Sequence, residues 1–510
     1  MILFIRKILF INFISKFKSI KHLSFIDLNF RKNDFTNYNQ IRSFIFKKKF
    51  YKIKNKNIHN FDFLNFSKKL GGNIGINLSK DSIFDWYKIN KNKLNFPWSE
   101  DLTSKRLINL LYNYEYINSS SKLLDKNRLD LIILNHIQRI IFDFNLKKIN
   151  ELTSYDLVAY SLSSLILEKY NVKDTNYIKF IIESQVDKLG MHKSYNILEH
   201  SKFINNINEV KNILLFFNIK QANIFDDLLL KMTSVLNQYF HNDGTIPLFN
   251  GSNNIYTKII HDSIKKDVYY KKRNFDNIQN GIAFYSDKNK SIFFDVVQPN
   301  KDMISSNLNA GTLSIEFSGC GEKIFSNCGS SESFGKNPEY LRYSAAHSTI
   351  ILQNTNISEI KESNPHIKYP QSVVFRKDVN ENDEIFEGSH NGYIKKFNKI
   401  IKRKLIISKK NNILNGEDSF ISFKNDNERL MFHIRFHLAD EMTYNFTNNK
   451  KNIILKTKMN NIWLFKSNTE LKIEDSILVD NNFTKPIKQI VIKGIIVESK
   501  VVKKWSIEKI

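Results

Sequence analysis

HNDGTIPLFNGSNN, residues 241–254, separates two kinds of pattern along the chain. Its Asp-Gly and Asn-Gly pairs are turn signals, because these residues accept positive φ at little cost. On its N-terminal side apolar residues recur every three or four positions, in RLINLLYNY (106–114), RLDLIILNHIQRIIFDF (128–144), DLVAYSLSSLILEKY (156–170), NEVKNILLFF (208–217) and IFDDLLLKMTSVLNQYF (224–240). That spacing lays one apolar stripe along a helix, so successive amphipathic helices are predicted from about 100 to 240. Thr103 with Ser104, and Thr153 with Ser154, are the expected N-cap residues of two of them.

On the C-terminal side the period falls to two. From about 280 onward come GIAFYS, SIFFDVV, TLSIEFS, KIFSNCG, STIILQ, KIIKRKLIIS, MFHIRFHL, NIILKTK, NIWLFKS and KQIVIKGIIV, separated by Gly, Asn, Asp and Lys turns. Alternating apolar and polar positions in many short runs predict stacked antiparallel sheets. With no alternating βα units, the fold class is α+β by segregation, a helical half followed by an antiparallel sandwich.

The composition is that of a globular protein: 510 residues, 42% hydrophobic and 25% charged, exclude disorder along most of the length. The net charge of +26 favours polyanions over neutral ligands. The lysines are spread through the whole chain among Asn and Ile, however, and no module interleaves aromatic and basic residues, so specific nucleic-acid binding is not expected. Cys320 and Cys328 are the only cysteines. They bracket a predicted hairpin, one in its Gly-Cys-Gly turn and one well down the returning strand. At about 3.3 Å per strand residue this separates the thiols by more than roughly 10 Å, and free cysteines are expected.

MILFIRKILFINFISKFKS, at the N-terminus, is apolar and basic, but Arg6 and Lys7 interrupt the run and no small-x-small cleavage site follows. No stretch reaches the roughly 18 apolar residues of a membrane helix. The expectation is a protein without a transmembrane span, whose leader is able to touch a membrane surface. GGNIGIN (71–77) precedes no convincing helix and lies in no βαβ unit, so it is not read as a nucleotide loop. A Lys-Ser/Thr phosphate loop, a GxSxG elbow, an HExxH and a paired cysteine set are all absent; no cofactor and no metal are expected.

Three histidine contexts remain. LGMHKSYN (189–196) collects His192, Lys193, Ser194, Tyr195 and Asn196 in a polar break between helices, a place for a site on a rigid scaffold or a plain connection. YLRYSAAHST (340–349) sets Arg342 and His347 around two alanines, which suggests that Ala345 and Ala346 allow close packing; His347 faces a ligand or holds a strand start. In MFHIRFHL (431–438) the residues His433, Arg435 and His437 share one strand face, read as a polar sheet face in preference to a metal site.

Taken together, NAGTLSIEFSGCGEKIFSNCG (309–329) and LRYSAAHSTIIL (341–352) resemble the heparinase II/III-like family, in its HAGTLSFE-type run, its strand ending in Asn-Cys-Gly and its Arg-x-x-Ala-Ala-His segment. FPWSEDLTSKRLINLL, HNDGTIPLFNGS, SHNGYIKKFNKIIKRKLIIS, FHIRFHL and NIWLFKS match further parts in order, over roughly residues 85 to 507. The resemblance implies an incomplete (α/α) toroid at 61–260 and a C-terminal β-sandwich at 275–510, after a poorly defined basic leader at 1–60. It also implies a lyase that cleaves acidic, uronic-acid-containing polysaccharide by β-elimination, with site groups drawn from both domains.

Carried over residue by residue, the resemblance makes His192, Tyr195 and His347 the candidate catalytic residues and Asn309, Arg342, Asn196 and Lys193 the candidate substrate-binding ones. Asn309 stands where lyases of this family place a histidine, and an amide hydrogen-bonds a carboxylate but relays no proton. The rival reading is therefore a catalytically degenerate carbohydrate-binding or envelope-assembly protein on the same scaffold. The implied partner is an acidic polysaccharide and the implied location the cell envelope or periplasm, with the cytoplasm as alternative because no clean signal peptide is present.

Overall fold

The computed structural model describes residues 56–93, 96–98, 101–254, 257–258, 260–261, 281–299, 308–331, 339–360, 369–424, 428–447, 449–480 and 483–510. The basic leader read at 1–60 lies almost wholly outside the described residues. The described parts of Met1–Asp187 and Lys202–Lys231 form one compact unit; those of Lys188–Ser201, Met232–Ile264 and Tyr270–Ile510 form another.

The first unit is helical. Its main helices are Gly72–Asn90, Leu102–Tyr112, Leu123–Leu146, Ser154–Ile166 and Val172–Gln185. The periodic apolar residues point inward: Ile132, Ile133 and Ile137 on one helix and Leu157, Val158 and Leu162 on the next are buried. Thr153 caps its helix as expected, accepting the Asp156 N–H (3.3 Å) while the Asp156 carboxylate takes the Thr153 N–H (2.9 Å). The expected cap at Thr103 and Ser104 is corrected. The helix starts behind Asp101, which pairs with Lys105 one turn later, and Ser104 instead donates its hydroxyl to the Asp156 carboxylate. GGNIGIN is also corrected, since it opens the long helix Gly72–Asn90. Its glycine at 75 serves packing: a Cβ there would lie 2.3 Å from the Ser67 carbonyl oxygen. Trp86, Trp98 and His136 cage the buried Arg106 guanidinium, which stacks 4.1 Å from Trp86 and 4.7 Å from Trp98 and donates to His136 Nε2 (2.8 Å).

The strands of the second unit are, in chain order, β1 (Ile282–Ser286), β2 (Lys290–Asp295), β3 (Ile315–Gly319), β4 (Glu322–Ser326), β5 (Ile350–Leu352), β6 (Val373–Val379), β7 (Asp383–His390) and β8 (Lys399–Ser408). β9 (Ile413–Ser422), β10 (Leu430–Leu438), β11 (Thr443–Phe446), β12 (Asn452–Lys456), β13 (Ile462–Ser467), β14 (Leu471–Asp480), β15 (Phe483–Ile496) and β16 (Lys500–Lys509) complete them. One sheet has the order β1-β2-β3-β4-β10-β15-β14 with β5 added to β10, and the other β11-β12-β13-β16-β9-β8-β7-β6. Their facing sides bury Phe294, Phe317, Phe432, Phe436, Phe465 and Trp505 in one apolar core.

β10 shows how the alternation works. Phe432, Ile434 and Phe436 enter the core, while His433, Arg435 and His437 lie on the opposite face of the first sheet, as the period of two predicts. On that face Arg435 is ion-paired to Glu474 (3.1 Å) and also donates to Gln489 (3.1 Å). The hairpin β3–β4 turns at Cys320, half-buried at φ 55°, with Cys328 buried two residues beyond β4; both are free thiols.

Candidate functional site

The loop LGMHKSYN groups with the sandwich unit. It closes on itself first. Ser194 donates its main-chain N–H to His192 Nδ1 (3.3 Å), its hydroxyl lies 2.8 Å from the same nitrogen, and the Asn196 N–H donates to that hydroxyl (3.2 Å). Tyr195 takes a left-handed conformation, φ 49°, and its N–H returns to the His192 carbonyl (2.9 Å). Its ring packs against Gly281, where a Cβ would come within 3.2 Å of Cε1.

Asn196 has a structural task. Its Oδ1 accepts the N–H of Glu199, capping the helix Ile197–Phe216 (3.0 Å), and also the Ser252 hydroxyl (3.1 Å). Its Nδ2 donates to the Asn250 carbonyl (3.0 Å). Lys193 stays half-buried beside His192. Burial pushes the His192 imidazole down to about 4, a fall that Lys193 deepens and Glu199 opposes.

The FNGS turn carries this loop to the sandwich. Asn250, at φ 51°, donates its amide to the Tyr195 carbonyl (3.3 Å) and accepts the Asn309 N–H on Oδ1 (3.3 Å). Asn309 begins a turn whose next residue, Ala310, donates to the Arg342 carbonyl (2.9 Å) and accepts the Ser344 hydroxyl (2.7 Å). Arg342 is buried, with Nη2 donating to the Leu308 carbonyl (3.3 Å). Gly311 lies against the imidazole of His347: a Cβ at 311 would be 3.0 Å from its Cγ. Of the two alanines expected to pack, Ala346 is buried beside Cys328, Leu341 and Val479, whereas Ala345 is exposed.

Two side chains stand out in this turn region. Both ring nitrogens of His347 and both amide atoms of Asn309 are buried without a hydrogen-bond partner. Such groups lose water without recovering its hydrogen bonds, a cost of about 1–3 kcal/mol each. Burial pushes His347 down to about 4, with the Glu316 charge opposing, so the ring is neutral at pH 7. Next to it, His437 is driven down to about 3 by burial and by His347. A neutral imidazole offers one N–H and one lone pair, and the amide offers both roles, so the pair can hydrogen-bond a carboxylate without bringing net charge, and only the imidazole can accept a proton.

Beneath them lies an ionic brace that the sequence reading did not pick out. Glu316 is fully buried and accepts from His241 (3.0 Å), Lys323 (2.9 Å), the Leu248 N–H (3.0 Å) and the Asn327 amide (3.0 Å). Burial alone would raise its carboxyl, but Lys323 and His241 hold it down to about 2. Asn327 in turn accepts the Ser348 N–H on Oδ1 (2.9 Å), fixing the residue after His347. Glu316 is the one charged residue of TLSIEFS, and Asn250 lies in the FNGS turn. Among the described residues no group of three or more His, Cys, Asp or Glu is placed to hold a metal ion.

A model of the heparinase II/III-like C-terminal domain matches residues 272–506. This C-terminal domain belongs to the heparinase II/III-like family. Solved structures extend the likeness over the whole chain. The crystal structure of heparinase III, 11% identical, has a TM-score of 0.74 and covers 100% of this chain and 90% of its own. A second heparinase III, also 11% identical, has a TM-score of 0.67 over 99% of this chain and 88% of its own. The heparan sulfate lyase HepC from Pedobacter heparinus is 14% identical, with a TM-score of 0.58 over 90% of this chain and 77% of its own. At these identities the likeness is one of fold. No curated protein matches the sequence significantly. The heparinase II/III-like assignment agrees with the order of a helical region followed by two antiparallel sheets.

Proposed function

We propose that the protein is a lyase that cleaves acidic, uronic-acid-containing polysaccharide by β-elimination. The observation that carries this reading is the pair of buried, unbonded polar side chains at Asn309 and His347, set in a heparinase II/III-like domain and tied through Asn250 to the loop bearing His192 and Tyr195.

The proton at C5 of a uronate is a weak acid because the adjacent carboxylate is already negative. Hydrogen bonds from Asn309 Nδ2 and the His347 N–H stabilise the charge that develops on that carboxylate. A base, Tyr195 or His192, takes the C5 proton; the C5–H bonding pair forms the C4–C5 double bond, the C4–O bond breaks, and the leaving oxygen takes its proton from the Tyr195 hydroxyl. Arg342 and Lys193 supply positive charge around the substrate. An acidic polysaccharide of this kind lies in the cell envelope or outside the cell, so the reading puts the protein in the envelope or periplasm.

Asn309 itself favours a second reading, a carbohydrate-binding protein on the lyase scaffold, because an amide moves no proton. One assay separates the two: incubation with a panel of uronic-acid polymers, following the ultraviolet absorbance of the unsaturated product. Lyase activity that falls by about 10²–10⁴-fold in Tyr195→Phe assigns the tyrosine as the proton-transfer group. Measurable binding with no product from any polymer establishes the binding protein instead.

A further inference from the structure

Arg403 lies on β8, in the sheet across the core from Asn309 and His347, and is completely buried. Its Nε and Nη2 form a two-pronged pair with Asp418, at 2.7 and 3.0 Å. That pair is held in place by Trp505, which donates its indole N–H to Asp418 (3.0 Å). The pair leaves the Nη1 hydrogens of the buried guanidinium to find acceptors elsewhere. Nη1 reaches two main-chain carbonyls in the turns ahead of strands of the first sheet, Leu313 before β3 (2.9 Å) and Ser348 before β5 (2.8 Å).

Leu313 ends the turn that carries Asn309 and Gly311, and Ser348 follows His347. We propose that Arg403 is the positioning residue of the candidate site: one guanidinium nitrogen clamps both carbonyls and so fixes the Asn309 turn against the His347 turn.

The backbone of Leu313 supports this. Leu313 is buried at φ 63°, a left-handed conformation that costs a branched side chain about 1–2 kcal/mol. It is held there from both ends, its N–H donating to the Asp295 carbonyl (2.8 Å) and its carbonyl taken by Arg403. Direct ties between the two turns run in parallel: the Thr349 hydroxyl donates to the Thr312 carbonyl (2.7 Å), and the Ile315 N–H to the Ser348 carbonyl (3.2 Å). A lysine could not replace this geometry, because a single ammonium cannot meet a carboxylate in two-pronged fashion and two carbonyls at once.

The kinetic part of the inference rests on the lyase reading; the positional part does not. The test is the double variant Arg403→Met/Asp418→Leu, which removes both charges together and leaves no unpaired ion in the core. ¹⁵N-histidine NMR reads the His347 ring, assigned with His347→Gln, against His136 of the helical unit as control. The expected result is a shifted or broadened His347 signal with His136 unmoved. On the polymer that the wild type cleaves, kcat falls by about a hundredfold while KM changes little, as for misplaced site groups. If the double variant does not fold, Arg403→Lys is read in the same spectrum. A His347 signal identical to wild type in a folded variant overturns the proposal. A wild type that cleaves no polymer defeats the lyase reading, and the spectrum still decides the role of Arg403.

Discussion

Asn250 Oδ1 accepts the main-chain N–H of Asn309 at 3.3 Å, joining residues 59 positions apart in sequence. The same side chain donates from Nδ2 to the Tyr195 carbonyl, so one amide spans the loop of His192 and the turn of the unbonded Asn309. Because Asn250 has a positive φ, Asn250→Gly removes these bonds without adding backbone strain. Two buried main-chain groups lose their partners, and a destabilisation of about 2–4 kcal/mol is expected in urea unfolding. A loss under about 0.5 kcal/mol would mean that water takes over both bonds and that Asn250 does not hold the loops together.

Acid should destabilise the protein above the range in which its carboxylates titrate. Burial pushes His192 and His347 down to about 4, and His200 and His437 down to about 3. The unfolded chain takes up protons at these positions near pH 6.5 while the folded one does not, so unfolding becomes more favourable as pH falls from about 6.5 to 4. Each such histidine accounts for up to about 3 kcal/mol. The check is His347→Gln: stability measured across this range should depend less steeply on pH than in the wild type. Parallel curves would place a polar partner on the His347 ring.

Much of the fold was legible because it rests on repeated local signals. Turn pairs at 243–244 and 250–251, helical spacing before them and alternation after them mark the helical region and the sheets, and the face shared by His433, Arg435 and His437 follows from strand geometry alone. The site was only partly legible. LGMHKSYN and YLRYSAAHST could be picked out by composition, but what joins them could not: Asn250, Glu316, Asn327 and Arg403 act through partners between 7 and 90 residues away. Helix starts failed for a different reason. The Ser104 hydroxyl has a tertiary partner in Asp156, and in GGNIGIN the helix carries a glycine at 75 where the Ser67 carbonyl passes too close for a side chain.

Restoring an imidazole at 309 tests whether the sandwich side lacks a proton carrier. Asn309→His is expected to raise the rate of β-elimination on whichever uronic-acid polymer is cleaved, by up to the 10²–10⁴-fold typical of a well-placed acid or base. His347→Ala in the same background should reverse most of the gain if the two rings act on one substrate group, and initial rates of unsaturated product formation measure both. An inactive Asn309→His protein that still binds polymer would favour the carbohydrate-binding reading.

Gly311→Ala separates the aim of His347 from the stability of the domain. Gly311 needs no left-handed backbone, and the atoms nearest the added methyl all belong to the imidazole, at 3.0 Å for Cγ and 3.2 Å for Cδ2. The ring must move by a few tenths of an ångström, and the methyl also shortens the list of conformations open to the unfolded chain, which favours folding by about 0.4–1 kcal/mol. The unfolding free energy should therefore change by less than about 1 kcal/mol. Catalysis is more sensitive, because a displaced group loses its alignment with the substrate carboxylate and a misplacement near 1 Å costs about a hundredfold. A severalfold fall in kcat with stability nearly intact is the expected outcome. Equal kcat in Gly311→Ala and wild type would remove His347 from the substrate and leave it as a packed core histidine.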